Sequence, residues 1–262
     1  MPMLTEFREK VLSAAAIEPG DVALDVGCGD GLLGVAALDR VGEAGTVIFS
    51  DISTDLLDQC RQITAELGAG DRCRFVHTGL PELADIADGS VDVAMTRSVL
   101  IYVSDKAAAF ASLYRVLRPG GRLSIFEPIN RFGKPAPADE LWSFDVSGLE
   151  TLADKVKERY RHYHPEPNPM TDFDERDLLD LAHAAGFVEL HLEYHAWIGR
   201  VEEEISWANF LRVAPNPLVP PFGQILAEAL DPHENETLTN RMRGQLDSRR
   251  SRRAGAYLSA QR

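Results

Sequence analysis

An α/β architecture with a mostly parallel central sheet follows from three features of this 262-residue sequence. Short apolar, strand-like runs alternate with helical patterns through the first half. Turn-forming residues punctuate the alternation. A dense glycine stretch follows the first run directly. Alternation of this kind builds βαβ units, whose parallel strands are buried on both faces and read as unbroken apolar runs.

The elements follow in order. Leu4, Phe7, Val11 and Leu12 fall at helical spacing near the N-terminus. "VALDV" (22–26) is a buried strand and "LLGVAALDRV" (32–41) the helix after it. "TVIFS" (46–50) is the next strand, followed by a helix over 53–68. Strands at "RFVHT" (74–78) and "VDVAMT" (91–96) precede a helix over 104–117. Ser104 is the expected cap of that helix, and Phe110, Leu113, Tyr114 and Leu117 share one face. Pro119 stops it, and Gly120-Gly121 turn the chain into the strand "RLSIFEP" (122–128).

After Asn130 the pattern changes to a Pro/Gly-broken loop, a polar helical stretch reaching Tyr163, and the turn "HPEPNP". A helix (174–186) and a strand (187–199) resume the core pattern. Residues 201–247 read as helical with a break at "APNPLVPP", and "RAGAYLSAQR" reads as a last strand. These readings divide the chain into an N-terminal lid helix (1–19), a core (20–130), a lid insertion (131–172), a core continuation (173–199), a helical lid insertion (200–251) and a final core strand (252–262).

Composition excludes several partners. The formal charge is −14. An acidic surface repels phosphate backbones, so no nucleic-acid partner is expected. No run approaches the roughly 20 apolar residues of a membrane span, and the first residues lack the apolar core of a signal peptide. Cys28, Cys60 and Cys73 show neither CxxC pairing nor a disulfide framework. A cytoplasmic protein without a membrane partner is the expectation. The run "RRSRRAG" (249–255) concentrates positive charge, so Arg249–Arg253 is a candidate dock for an acidic partner or a second subunit, against a plain solvated loop.

The stretch "DVALDVGCGDGLLG" (21–34) admits two glycine registers. Gly29, Gly31 and Gly34 match the dinucleotide fingerprint GxGxxG. Gly27, Gly29 and Gly31 form a second register starting directly after the strand. In dinucleotide sites the first glycine closes the strand and a pyrophosphate sits on the following helix N-terminus. Here the strand ends at Val26, and the third position counted from Gly27 is Leu32. Asp25 would also place a carboxylate beside a diphosphate. A carboxylate suits a cation such as S-adenosylmethionine (SAM), which carries an ammonium and a sulfonium. Asp51, at the end of the second strand, can accept both hydroxyls of a ribose, and Ile52 can pack on an adenine face.

At "LDVGCGDG" (24–31), "SDIS" (50–53), "DGSVDVAMTRSVLIYV" (88–103) and "RVLRPGGRLSIFEP" (115–128) the sequence resembles class I SAM-dependent methyltransferases, in the branch with quinone-biosynthesis and arsenite methyltransferases. The resemblance implies a Rossmann-like three-layer sandwich with seven strands, the last antiparallel, under a helical lid. It implies SAM as cofactor and a small-molecule acceptor. It places Asp25 near the methionine ammonium and lets the backbone at Gly27, Gly29 and Gly31 approach the methionine end. Asp51 holds the ribose. Gly79 and Leu80 stand where the family has an adenine-binding Asp and a small residue, and Arg97 and Ser98 match positions lining the methionine and facing the acceptor.

Methyl transfer from a sulfonium is an in-line displacement, accelerated by positioning and exclusion of water, and a base is needed only if the acceptor must lose a proton. The candidates for such a base are His162, His164 and Glu127, the last at the carboxyl end of the fifth strand beside Asn130. No clustered carboxylate and amide ligands stand out, so no metal is expected. Lid aromatics (Trp142, Phe144, Tyr160, Tyr163, Trp207 and Phe210) suit an apolar or aromatic acceptor, such as a secondary metabolite. Two alternatives remain: a SAM-binding protein catalysing a non-methylating reaction such as a cyclisation, and an NAD-dependent oxidoreductase using the same loop.

Overall fold

The computed structural model describes residues 2–164, 166–201 and 205–262, without the side chains of Pro2 and Met3. It divides into two compact units. The first comprises Met1–Ile129, Pro169–His195 and Gly255–Arg262; the second comprises Asn130–Asn168 and Ala196–Ala254.

The strands are β1 (Val22–Val26), β2 (Thr46–Asp51), β3 (Cys73–His77), β4 (Val91–Arg97), β5 (Leu117–Pro128), β6 (Glu140–Leu141), β7 (Phe144–Asp145), β8 (Val188–Arg200) and β9 (Arg250–Gln261). Seven form one sheet in the order β3-β2-β1-β4-β5-β9-β8. The first five run parallel, and β9 lies antiparallel against β5 with Phe126 opposite Tyr257. The order reverses at β1, since β2 and β4 flank it on either side. In an open α/β sheet, ligands bind at that switch point, outside the carboxyl ends of the strands. Asp25, Asp51 and Arg97 all stand at those ends.

The helices are α1 (Pro2–Ala14), α2 (Gly34–Val41), α3 (Thr54–Glu66), α4 (Lys106–Val116), α5 (Glu150–Arg161), α6 (Glu175–Ala184), α7 (Trp207–Phe210), α8 (Phe222–Ala229) and α9 (Pro232–Arg243). In the first unit α2 packs on β1 and β2, α3 on β2 and β3, and α4 on β5 and α6. The N-terminal helix joins this core: Val11, Leu12 and Ala15 are fully or almost fully buried, and Ser124 on β5 donates its hydroxyl to the Val11 carbonyl at 2.8 Å. Phe7 stacks on Phe126 at 4.5 Å.

Two boundaries differ from the sequence expectation. Asp105, not Ser104, caps α4: its carboxylate accepts the Ala108 N–H at 2.8 Å. The residues before it are taken by a 3₁₀ turn over Leu100–Tyr102. β5 begins at Leu117 rather than Arg122, because Leu117 pairs with Val91 and a register shift between Val91 and Val93 absorbs the extra residues.

The second unit has its own core of Leu141, Phe144, Val156, Ile225, Leu226, Leu238 and Met242, drawn from both insertions. The aromatics expected to line a lid are spent mainly here. Trp142 meets Phe222 edge-on at 4.5 Å and Tyr160 at 5.2 Å, and Phe144 meets Phe210 at 5.2 Å. Trp142 and Ser143 join β6 to β7 with φ of 44° and 74°. Both central residues are left-handed, as a tight hairpin requires, but neither is glycine. The arginine run is not a solvated cluster throughout. Arg249 is buried, donates Nε to the Leu246 carbonyl at 3.0 Å, and lies over the Phe210 ring at 5.3 Å. Arg253 covers Trp197 at 4.5 Å. No helix among the described residues is long and apolar enough to cross a membrane.

Candidate functional site

The loop after β1 is built from glycines in the left-handed region, with φ of 63° at Gly27, 54° at Gly29 and 86° at Gly31. L-residues with side chains avoid this conformation. Space separates their roles. A Cβ on Gly27 would meet Val99 Cγ2 at 2.5 Å, and one on Gly31 would meet Cys60 Sγ at 3.2 Å. A Cβ on Gly29 would meet nothing within 4 Å. Gly29 therefore keeps a bare backbone on a surface open to a ligand. Gly34 serves the helix instead: its Cβ would meet Phe49 Cε1 at 2.3 Å, so glycine lets α2 approach β2.

Two carboxylates frame the loop from below. Asp25, 2% exposed, accepts the Gly34 N–H at 2.7 Å, tying β1 to the first turn of α2. Its pKa is pushed up to about 7, chiefly by burial; the Gly34 hydrogen bond opposes this, Asp51 adds to it, and the Arg97 guanidinium opposes it. Asp51 accepts the Gly29 N–H and the Ser53 N–H, both at 2.9 Å, one on each oxygen. Each oxygen keeps a second lone pair for a hydroxyl donor.

Beyond β2, Ile52 is 77% exposed. An exposed isoleucine beside a bare loop is a ready apolar face. Gly79 lies under it, since a Cβ there would meet Ile52 Cγ2 at 2.7 Å, and His77 Nε2 is 2.9 Å from the Ile52 carbonyl. The structure thus brings Ile52 and Gly79 together. Leu80 follows in the turn, half-buried.

Register places the remaining pieces. Val26 pairs with Ser50 on one side and Thr96 on the other. Asp51 and Arg97 each come one residue later, so they flank the glycine loop at one level, two strands apart. Ser98 adopts φ 57° and donates its N–H to the Phe126 carbonyl at 2.9 Å. Glu127 then fixes the next residues. It is fully buried and accepts the Val99 and Leu100 N–H groups at 2.9 Å and the Ile101 N–H at 3.3 Å. Burial pushes its carboxyl up to about 7 against those bonds. Val99 is the residue whose side chain abuts Gly27, so Glu127 positions the wall of the glycine loop.

Residues 23–121 match the methyltransferase domain family model. The match supports a SAM-dependent methyltransferase domain over those residues, well under half of the chain. Among curated relatives, an uncharacterized 37.1 kDa protein of a transposon from Streptomyces fradiae is 42% identical over 123 residues, which is 47% of this chain and 34% of that protein. The ubiquinone/menaquinone biosynthesis C-methyltransferase UbiE of Haemophilus ducreyi is 27% identical over 209 residues, covering 72% of this chain and 77% of the relative. Among solved structures, the geranyl diphosphate C-methyltransferase of Streptomyces coelicolor, solved with Mg2+, geranyl diphosphate and S-adenosylhomocysteine, superposes with a TM-score of 0.56 at 16% identity, over 98% of this chain and 79% of that one. At that identity the likeness is one of fold.

The histidines near the end of α5 lie in the second unit, outside the methyltransferase domain. His162 is exposed, with Nδ1 2.8 Å from the Glu158 carbonyl. His164 is buried: Nδ1 is 3.1 Å from the Tyr160 carbonyl and Nε2 is 3.2 Å from the Asn216 amide nitrogen. No group of three His, Cys, Asp or Glu suited to a metal occurs among the described residues.

Sequence reasoning missed two contributors to the candidate site. Val99 closes against Gly27, and Cys60 packs under Gly31. Neither belongs to a motif; each is found only through a glycine whose missing Cβ leaves it room.

Proposed function

We propose that the protein transfers a methyl group from SAM to a small organic acceptor, apolar or aromatic in character. The observation that carries the reading is the glycine loop: left-handed at Gly27, Gly29 and Gly31, open at Gly29, and set between buried Asp25 and Asp51. Asp51 takes the ribose hydroxyls, and Ile52, with Gly79 and Leu80 behind it, takes the adenine. Asp25 faces the ammonium, with Arg97 and Ser98 at the methionine end on the acceptor's side. When bound, SAM supplies an electrophilic methyl group on a sulfonium.

The chain's own residues contribute placement. Glu127 clamps Val99 to Ile101 and so keeps the loop's wall fixed. Both its oxygens are engaged, which favours positioning over proton transfer. Positioning alone can supply a large share of the acceleration of an in-line displacement. The likeness to UbiE, a C-methyltransferase, supports a small-molecule acceptor with a carbon nucleophile.

Isothermal titration with SAM and S-adenosylhomocysteine tests the cofactor; no binding at millimolar concentration defeats the proposal. Incubation with candidate acceptors tests the reaction, read as a methyl mass gain matched by S-adenosylhomocysteine. Acceptor conversion without S-adenosylhomocysteine identifies the non-methylating alternative. A change in nicotinamide absorbance identifies the oxidoreductase.

A further inference from the structure

Cys28 lies inside the glycine loop, between Gly27 and Gly29, and Cys60 lies on α3 beneath it. Both thiols are buried. Their sulfurs stand 4.0 Å apart. Cys60 also donates to the Gly29 carbonyl at 3.4 Å. The result is a hydrogen-bonded relay from Cys28 to Cys60 to the loop backbone. The remaining cysteine, Cys73, is only partly buried and bonds elsewhere, to the Ala69 carbonyl at 3.2 Å.

We propose that Cys28 and Cys60 form an oxidisable dithiol whose disulfide distorts the glycine loop and shuts off cofactor binding. The bond itself depends only on the thiol pair; its effect on SAM rests on the function proposed above.

A disulfide holds its sulfurs about 2 Å apart, so the pair must close by about 2 Å. Cys60 Sγ already sits 3.2 Å from where a Gly31 Cβ would be, and Cys60 is fixed in the middle of α3. The displacement therefore falls on the loop. The hydrogen bond from Cys60 to Gly29 is lost at the same time.

The two thiols are also unequal. The hydrogen bond donated by Cys28 holds the Cys60 thiol below its ordinary value, and the same bond raises Cys28. Cys60 is thus the attacking thiolate and Cys28 the resolving thiol.

Hydrogen peroxide is a sufficient oxidant. The Cys60 thiolate attacks one peroxide oxygen, the O–O bond breaks, and the departing hydroxide takes a proton to leave as water. The sulfenic acid on Cys60 is then attacked by the Cys28 sulfur; the S–O bond breaks and a second water leaves with the Cys28 proton. Two thiols lose two electrons and one peroxide becomes two waters. A ligand seated on the loop covers Cys28, so SAM should slow the reaction.

The test treats the full chain with peroxide, maps its peptides without reductant, and titrates SAM before and after. The expected result is a peptide linking Cys28 to Cys60, an affinity lowered by about tenfold or more, and recovery with dithiothreitol. Cys60→Ala should resist peroxide, and Cys73→Ala should respond as the unaltered chain does. Absence of the linked peptide overturns the proposal, as does a linked chain that binds SAM unchanged. Both outcomes are read on the unaltered chain, whether or not the variants fold. If the reduced chain binds no SAM, the proposed function fails instead. Amide exchange at residues 27–31 then decides the dithiol proposal: faster exchange in the linked chain supports it, and unchanged exchange overturns it.

Discussion

Asp25 reaches past the whole glycine loop to accept the N–H of Gly34 at 2.7 Å. The bond makes one rigid hinge of the strand end and the helix start. It is made by a carboxyl that burial has pushed up to about 7, from an ordinary 3.8. The folded state therefore binds this proton more tightly than the unfolded chain. Its stabilising contribution is fully present below pH 4 and is lost as pH rises through about 7, a swing on the order of 4 kcal/mol. Glu127 runs in the same direction. Thermal melts of the ligand-free chain should show a falling Tm between about pH 4 and 7, and Asp25→Asn should flatten part of the slope. A cationic ligand prefers the ionised carboxyl, so SAM affinity should rise with pH over that interval. Titrations showing an affinity independent of pH would remove Asp25 from the ammonium.

Gly27→Ala and Gly29→Ala separate folding from binding. The first places a Cβ 2.5 Å from Val99 Cγ2 at a left-handed residue. It should lower stability by about 2 kcal/mol or more through overpacking and strain. The second meets open space, so only the strain of about 1 kcal/mol applies. Its methyl group nonetheless stands where the ligand approaches. Gly29→Ala should melt close to the unaltered chain and bind SAM at least tenfold more weakly.

Glu127→Ala leaves three N–H groups without an acceptor, those of Leu100 and Ile101 buried and that of Val99 half-buried. Each such group costs about 1–3 kcal/mol, so the loss should be about 3 kcal/mol or more. Glu127→Gln keeps one acceptor oxygen but turns a donor toward Ile101, and should fall between the two. Denaturation midpoints order the three proteins. Amide exchange at residues 98–102 should quicken in step with the loss.

Ile52→Ala tests the exposed apolar face. With the side chain 77% exposed, stability should change by no more than about 0.5 kcal/mol. If adenine packs there, SAM affinity should fall by about fivefold, and the same loss should appear with 5′-methylthioadenosine, which keeps the adenine and lacks the amino-acid end. Equal binding by both proteins would leave Ile52 without a ligand role.

Much of this architecture was legible in the residues. The parallel core was written in unbroken apolar strands such as "VALDV", because a strand covered on both faces cannot alternate. The loop was legible because three left-handed residues in five positions admit only glycine. Asp25 and Asp51 were legible as acids at strand ends. Other features were not. Ser104 and Asp105 are both good caps, and the choice was made by the 3₁₀ turn upstream, which local propensity does not show. Glu127 looked like a candidate base because its strand leads to the cleft; its partners lie 26–28 residues earlier in sequence, and only the fold brings them together. The lid aromatics were read as a substrate wall because composition cannot tell a pocket lining from a small core. Arg249 was read as part of a dock or of a solvated loop, and the rings it covers lie far off in sequence.

The second unit's core is stitched from two stretches separated by a whole return of the chain to the sheet, with Val156 from the first and Ile225 from the second. The apolar side chains of each stretch pack against those of the other. Swapping one of them for a relative's version would mate mismatched halves, so diversification here must proceed by exchanging both segments together, as a matched cassette.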